Sequence, residues 1–392
     1  MRRGVACVIV ASACGAPAPS VELPAAPRAS AAPVSPKPPP ACELRLRACR
    51  RVVEPVRVSG ALVGQSPEVV WDGRAALVAF DTPGQGTRLS AVSVDGSIAW
   101  TERLPGSYPH LAWNPRTHGG LVVTSETIAW LGADGKPVHQ TSAPRVTNVA
   151  FQGAPIATDR GFLVATGVVS IASRATPMPF SVAILDAPTD AIAWRRVADD
   201  GLRIAAQGGP ADEASWLVSQ ARGSAPQLFS VSPTGDLGAP TLLPEAAAMR
   251  AVAVTDHRDE AWVVLDEPTH DLAWVAVRGG APSAPEKLGA RAQRSGSAVF
   301  LRLGDRTFLG ADKIGDSPGV ALAPFEAAPP HLGAPLAIGP EASQSLRVAA
   351  TDEGFVAVWN IADDGAPLQR LVNHAPMHAL STMLAIYACC PR

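Results

Sequence analysis

Short apolar runs, many of them closed by glycine, proline or an acidic residue, recur along most of this chain. "AALVAF", "GGLVVT", "GFLVATG", "SWLVSQ", "AWVVLD", "TFLGAD" and "GFVAVWN" are each the length of one strand. No stretch keeps a 3.6-residue apolar period for long without meeting a Gly or Pro, so helices are not predicted. Proline breaks helix interiors and both residues punctuate strands, which leaves many short strands joined by tight turns. "AALVAF" and the "AWVVL" of "AWVVLD" are apolar at every position. Such strands are expected to be covered on both faces.

The runs are organised in repeats: an apolar strand, a tight polar turn, a second apolar strand, a third strand, and often an Asp-Gly-type turn. The first turns centre on Asp72, Asn114, Asp159, Gly208, Asp256, Gly304 and Asp352, at intervals of 42 to 49 residues. Propeller blades are four-stranded units of about 40 to 50 residues. The predicted fold is therefore all-β, a seven-bladed β-propeller. Six or eight blades stay open, because repeats three and six are degraded. The recurrence of Asp and Asn is expected to reflect hairpin turns that need positive φ. The second turn of the repeat is clearest at Asp95-Gly96, Asp134-Gly135 and Thr234-Gly235.

"ILDAPTDAIAW", Ile184 to Trp194, resembles the L-D-A-x-T-G-x-x-x-W signature of pyrroloquinoline-quinone-type propeller repeats, with Asp190 in place of the Gly. "VSVDGSIAW", Val92 to Trp100, is a shorter version. The resemblance covers two repeats. It implies the fold, and it implies that Trp100 and Trp194 dock neighbouring blades; many members of that repeat class bind no quinone and act as scaffolds. A sialidase-type Asp box is not formed.

The amino terminus carries a different signal. Arg2 and Arg3 precede an apolar run, Val5 to Val10, then small residues before Cys14. This is the layout of a secretory signal peptide over residues 1–13, too short to span a bilayer. Ala11-Ser12-Ala13-Cys14 resembles the lipobox of bacterial lipoproteins, with Ala11 where leucine is usual. The resemblance implies acylation of Cys14; cleavage by ordinary signal peptidase is the alternative. Residues 14–41 are Pro/Ala-rich and cannot bury a core, so they read as an extended stalk. The propeller is expected over residues 42–392.

A ring of blades must be closed, commonly by a strand from one terminus joining the blade built by the other. After Trp359 the seventh repeat offers one clear strand, in "IADDGAPLQRLVN", while "RRVVEPVRVSG" (Arg50 to Gly60) precedes the first repeat. The expectation is that Arg50 to Gly60 completes the last blade. The cysteines outside the leader, Cys42, Cys49, Cys389 and Cys390, would then meet. In an exported protein four cysteines are expected to be oxidised, with three connectivities allowed. Two cross-terminal bonds are preferred, the first worth about 4 to 5 kcal/mol in lost unfolded-state entropy. The alternative is a local Cys42–Cys49 loop with a vicinal Cys389–Cys390 bond.

Composition narrows the function. The 392 residues are 47% hydrophobic and 17% charged, enough apolar material for a large core. With 35 acidic and 33 basic residues and no long run of either sign, a nucleic-acid partner is set aside. His374 and His378 flank Pro376 without an accompanying Glu, so no zincin motif forms. Asp256, Asp259 and Glu260, and Asp363 with Asp364, read as solvated turns. Trp216, Trp262, Trp274 and Trp359 read as core. "ALSTMLAIYACC" reads as a strand or short helix packed on the ring. No catalytic, cofactor-binding or metal-binding residues are assigned. The expected role is non-catalytic binding or scaffolding at the cell envelope, outer-membrane-anchored through lipid, with an envelope protein as partner. A quinoprotein or hydrolase with its site at the central channel is the alternative; charged side chains converging there would favour it.

Overall fold

The computed structural model describes residues 46–59, 67–82, 85–143, 149–170, 180–198, 204–207, 215–220, 224–257, 260–291, 298–327, 330–341, 343–362, 369–370, 376–377 and 380–389. Residues 42–392 form one compact unit and residues 1–41 are grouped separately. No α-helix occurs among the described residues. Short 3-10 turns lie at Leu46–Ala48 and Pro244–Ala246.

The strands form seven small antiparallel sheets arranged as a seven-bladed β-propeller. Blade 1 runs outward from Glu68–Trp71 through Ala75–Thr82 and Gly86–Ser93 to Ile98–Leu104. Blades 2 to 6 follow in the same order, beginning with innermost strands His110–Asn114, Val149–Ala157, Ile204–Gln207, Arg250–His257 and Ala298–Leu303. Blade 7 begins at Ser343–Ala350. Each innermost strand touches the next, and the last touches the first, so the circuit is complete. Innermost strands start at one end of the ring, here the entry face, and end in hairpins at the other, the turn face.

Blade 7 is built from both chain ends. Its order from the centre is Ser343–Ala350, Gly354–Ala362, Leu380–Ala388, Arg50–Arg57. The amino-terminal strand supplies the fourth position, as the sequence implies. The third strand is a correction: it comes from the apolar tail, not from "IADDGAPLQRLVN". In that segment Gln369–Arg370 pairs only with Pro376–Met377, in a separate two-stranded sheet. The tail wins because nine consecutive residues, Leu380 to Ala388, pair with Gly354–Ala362, and most of them are buried.

The core is a set of wedges between blades. Leu77 and Ala79 pack with Leu121's neighbours Val122 and Ala129 of blade 2. Ala76, Val78 and Phe80, the alternate positions of the same strand, pack with Val356, Val358 and Leu384 of blade 7. Side chains along a strand alternate between its two faces. Both phases of Ala75–Thr82 meet a neighbouring blade, which explains why "AALVAF" is apolar throughout. Blades 5 and 6 share an aromatic cluster in which Phe325 meets Trp262 at 4.8 Å, Trp274 at 5.3 Å and Phe300 at 5.8 Å between ring centroids.

The turns reveal another correction. Asp72 and Asn114 do not adopt positive φ. Their side chains cap the turns: Asp72 Oδ1 accepts the N–H groups of Arg74 and Ala75, and Asn114 Oδ1 accepts that of Arg116. These are Asx-type turns, in which the short side chain replaces a backbone acceptor. In the turn that Asp72 opens positive φ falls on Gly73, at 95°, and in the turn that Asn114 opens on His118, at 49°; in the second turns it falls on Gly96 at 85° and Gly135 at 76°. Gly96 and Gly135 also lie against the preceding blade. A Cβ on Gly135 would come within 2.7 Å of Leu77 Cδ2, and one on Gly96 within 2.6 Å of Val53 Cγ1.

Candidate functional site

The channel wall is built by the innermost strands, whose side chains bring opposite charges together from different blades. Glu68, His110 and Arg347 belong to the innermost strands of blades 1, 2 and 7. Arg347 Nε stands 3.5 Å from Glu68 Oε1, and His110 Nδ1 stands 3.6 Å from the same oxygen. All three side chains are partly exposed, at 26, 18 and 25% for Arg347, Glu68 and His110. Burial pushes the Glu68 carboxyl up, but Arg347 and His110 outweigh it and hold the group below its ordinary value. Nearer the turn face, Arg302 of blade 6 meets Asp256 of blade 5 at 3.4 Å. Asp256 is buried in the strand Arg250–His257, which corrects its reading as a solvated turn. Glu260 likewise has a partner, Arg278 Nε at 2.7 Å. Tertiary approach of innermost strands pairs Glu68 with Arg347 and Asp256 with Arg302, whereas Glu260 and Arg278 face each other on adjacent strands of blade 5.

Behind the channel, a second polar feature escaped the sequence reading. Buried acceptors near the end of the second strand reach forward to the next blade. Asp81 accepts the Tyr108 N–H at 2.9 and 2.8 Å through its two carboxylate oxygens. Gln220 Oε1 accepts the Ala251 N–H, and Asp312 Oδ1 accepts the Ser345 N–H. Tyr108 and Ser345 have φ of 58° and 59°, a left-handed conformation costly for residues with a Cβ. In blades 1 and 6 a buried carboxyl thus secures the strained residue that opens the next blade. A polar residue recurring at Asp81, Gln220 and Asp312 was the available signal, masked by the variety of residue types.

Asp81 is nearly enclosed. Burial pushes its carboxyl from 3.8 up to about 6, opposed by the Tyr108 N–H, the Thr87 hydroxyl and the nearby His110. Asn114 performs a related task on the turn face, where its Nδ2 donates to the Thr158 and Gly161 carbonyls of blade 3 at 2.7 and 2.9 Å.

The sequence-assigned residues are placed as follows. Cys49 is bonded to Cys389, at a sequence separation of 340 residues. That bond excludes the local Cys42–Cys49 and vicinal Cys389–Cys390 alternative. Cys14, Cys42, Cys390, Asp259, Asp363, Asp364, His374 and His378 lie outside the described residues. Trp100 packs against the wedge between blades 1 and 2, and Trp194 against the one between blades 2 and 3. Asp190, standing where the quinone-type signature has Gly, reaches His139 Nε2 of blade 2 at 3.1 Å. Trp262, Trp274 and Trp359 are buried, and Trp216 packs half-buried against the wedge between blades 4 and 5. Among the described residues, no three His, Cys, Asp or Glu side chains converge to hold a metal ion. No described helix is long and apolar enough to cross a membrane.

No protein-family model matches the chain, and no curated protein matches it. Solved structures do. A chain from the crystal structure of BBS1N in complex with ARL6DN, soaked with mercury, has a TM-score of 0.54 at 12% identity, covering 86% of this chain and 96% of that one. A protein of unknown function from Dyadobacter fermentans has a TM-score of 0.47 at 13% identity, covering 86% and 99%. A chain from a study of two prolyl endopeptidases has a TM-score of 0.44 at 12% identity, covering 80% and 50%. At these identities the likeness is one of fold.

Proposed function

We propose that this protein is an exported, lipid-anchored propeller of the cell envelope that binds or scaffolds another envelope protein and has no chemistry of its own. The observation that carries this reading is the Cys49–Cys389 bond joining the two ends of the ring. Structural disulfides persist in oxidising compartments, and the leader with its lipobox-like Cys14 supplies the route there. Cys49 and Cys389 lie on the turn face, where Cys389 N–H also bonds the Glu353 carbonyl of a hairpin turn. The entry face is at the opposite end, and its loops are the surface assigned to the partner. The BBS1N–ARL6DN structure is itself a complex between proteins, which is compatible with such a role.

Two measurements test the reading. Cys14→Ser should move the protein from membranes to the soluble envelope fraction; retention on membranes overturns the anchor. Photo-crosslinkers at Glu126 and Pro268 on the entry face should capture one discrete partner band in cells, whereas those at Arg74 and Asp305 on the turn face should not. No band from any of the four positions overturns the binding role.

A second reading, an enzyme with its site in the channel, is favoured by the meeting of Glu68, His110 and Arg347. Those groups satisfy one another across blade boundaries, and structural ion-pair networks do the same. Binding is therefore preferred.

A further inference from the structure

The strand that closes the ring is poorly held by its own hydrogen bonds. Arg50–Arg57 pairs with Leu380–Ala388 only at Arg50, Arg51, Val53, Val56 and Arg57, with register shifts on both sides of Val53. Pro55 stands in the middle of the strand and has no N–H to donate. It is also an edge strand, bonded on one side alone. By contrast, Leu380–Ala388 is bonded on both sides and pairs with Gly354–Ala362 at nine successive positions without a shift. The disulfide sits at the leading end of the weak strand, one residue before Arg50, and ties it to the residue after Ala388. Arg51 reinforces the same corner: its guanidinium lies 5.6 Å from the Tyr387 ring centroid and donates to the Ile338 carbonyl.

We propose that the Cys49–Cys389 bond is a tension clamp, carrying force that arrives from the amino-terminal segment past the closing strand into the doubly paired strand Leu380–Ala388. Without it, a pull on residue 49 peels Arg50–Arg57 from the ring one pair at a time, because tension acts on the end pair of an edge ladder. With it, the same pull reaches Cys389, and the strand there yields only if its unbroken nine-position ladder with Gly354–Ala362 gives way. The clamp's use in the cell rests on the tethered reading above; its mechanics do not.

Force spectroscopy on the purified full chain tests the clamp, with one handle at the amino terminus and the other on the exposed turn residue Asp305. With Cys42 and Cys390 both changed to Ala so that the Cys49–Cys389 bond acts alone, the oxidised chain should show smooth stretching of the residues before Cys49 and no step before the ring ruptures. Removing that bond as well, with Cys49→Ala/Cys389→Ala in the same Cys42→Ala/Cys390→Ala background, should show an early step of roughly 35 Å at much lower force, as about ten residues come away. The oxidised protein reduced in place with a phosphine serves if that variant does not fold, and the same early step is expected. An early step in the oxidised chain, or none after the bond is removed, overturns the proposal. Fractionation of Cys14→Ser reports separately on the tether.

Discussion

The Asp81 carboxyl offers a measurement in which the direction and size of the effect both follow from its surroundings. In the unfolded chain it ionises near 3.8, and in the folded ring burial raises that value to about 6. Between those pH values the folded state holds a proton that the unfolded state has released. Its contribution to stability is therefore fully present below pH 3.8 and is lost as pH rises through about 6. A difference near two units corresponds to about 3 kcal/mol at 1.36 kcal/mol per unit. Asp81→Asn removes the titration but keeps a carbonyl oxygen for the Tyr108 N–H. The assay is urea unfolding of both proteins at intervals from pH 4 to pH 8. The stability of the variant minus that of the wild type should rise by about 2 to 3 kcal/mol between pH 4 and pH 7 and stay level above. Subtracting the two curves removes every other titrating group. A difference that is flat across this range, or that falls as pH rises, would refute the assignment of a buried, proton-retaining carboxyl. Asp81→Ala also removes the titration, so its difference from the wild type should rise with pH by the same amount, from a baseline about 1 to 3 kcal/mol below that of Asp81→Asn, because the Tyr108 N–H loses its acceptor.

The glycines separate backbone strain from crowding. Gly135→Ala combines φ of 76° with a Cβ that meets Leu77 Cδ2 at 2.7 Å, and should cost about 2 to 4 kcal/mol in chemical denaturation. Gly73→Ala, at φ of 95° with nothing within 4 Å, should cost only about 1 to 2 kcal/mol; equal losses would show that contact between blades is not what Gly135 protects. With Cys49 and Cys389 joined, one pairing of the four cysteines is left, and non-reducing peptide mapping should recover Cys42 linked to Cys390. Free thiols on both would overturn it.

The architecture was legible because a propeller writes its blades as a local repeat: strand length, turn spacing and doubly apolar strands are all properties of neighbouring residues. Asp72 and Asn114 marked turns correctly, although they serve as side-chain acceptors and leave positive φ to Gly73 and His118. Ring closure by Arg50–Arg57 was also readable, since an unpaired strand before the first repeat needs somewhere to go. The third strand of blade 7 was misplaced because an apolar tail and a short polar-flanked run look alike until one of them finds nine partners.

The charged groups were beyond such reading. Glu68 and Arg347 are separated by most of the chain, and Asp256 and Arg302 by nearly one blade. Alone, each resembles an ordinary surface charge. Only closure of the circle sets their strands side by side, because the energy of an ion pair depends on distance in space, and a sequence records distance along the chain. The sequence by itself determined that blades would form, that their number lay at or next to seven, and that both ends would meet. The tertiary structure decided which carboxyl is buried, which cysteines bond and which charges pair across blades, since each depends on what two remote segments leave between them once packed.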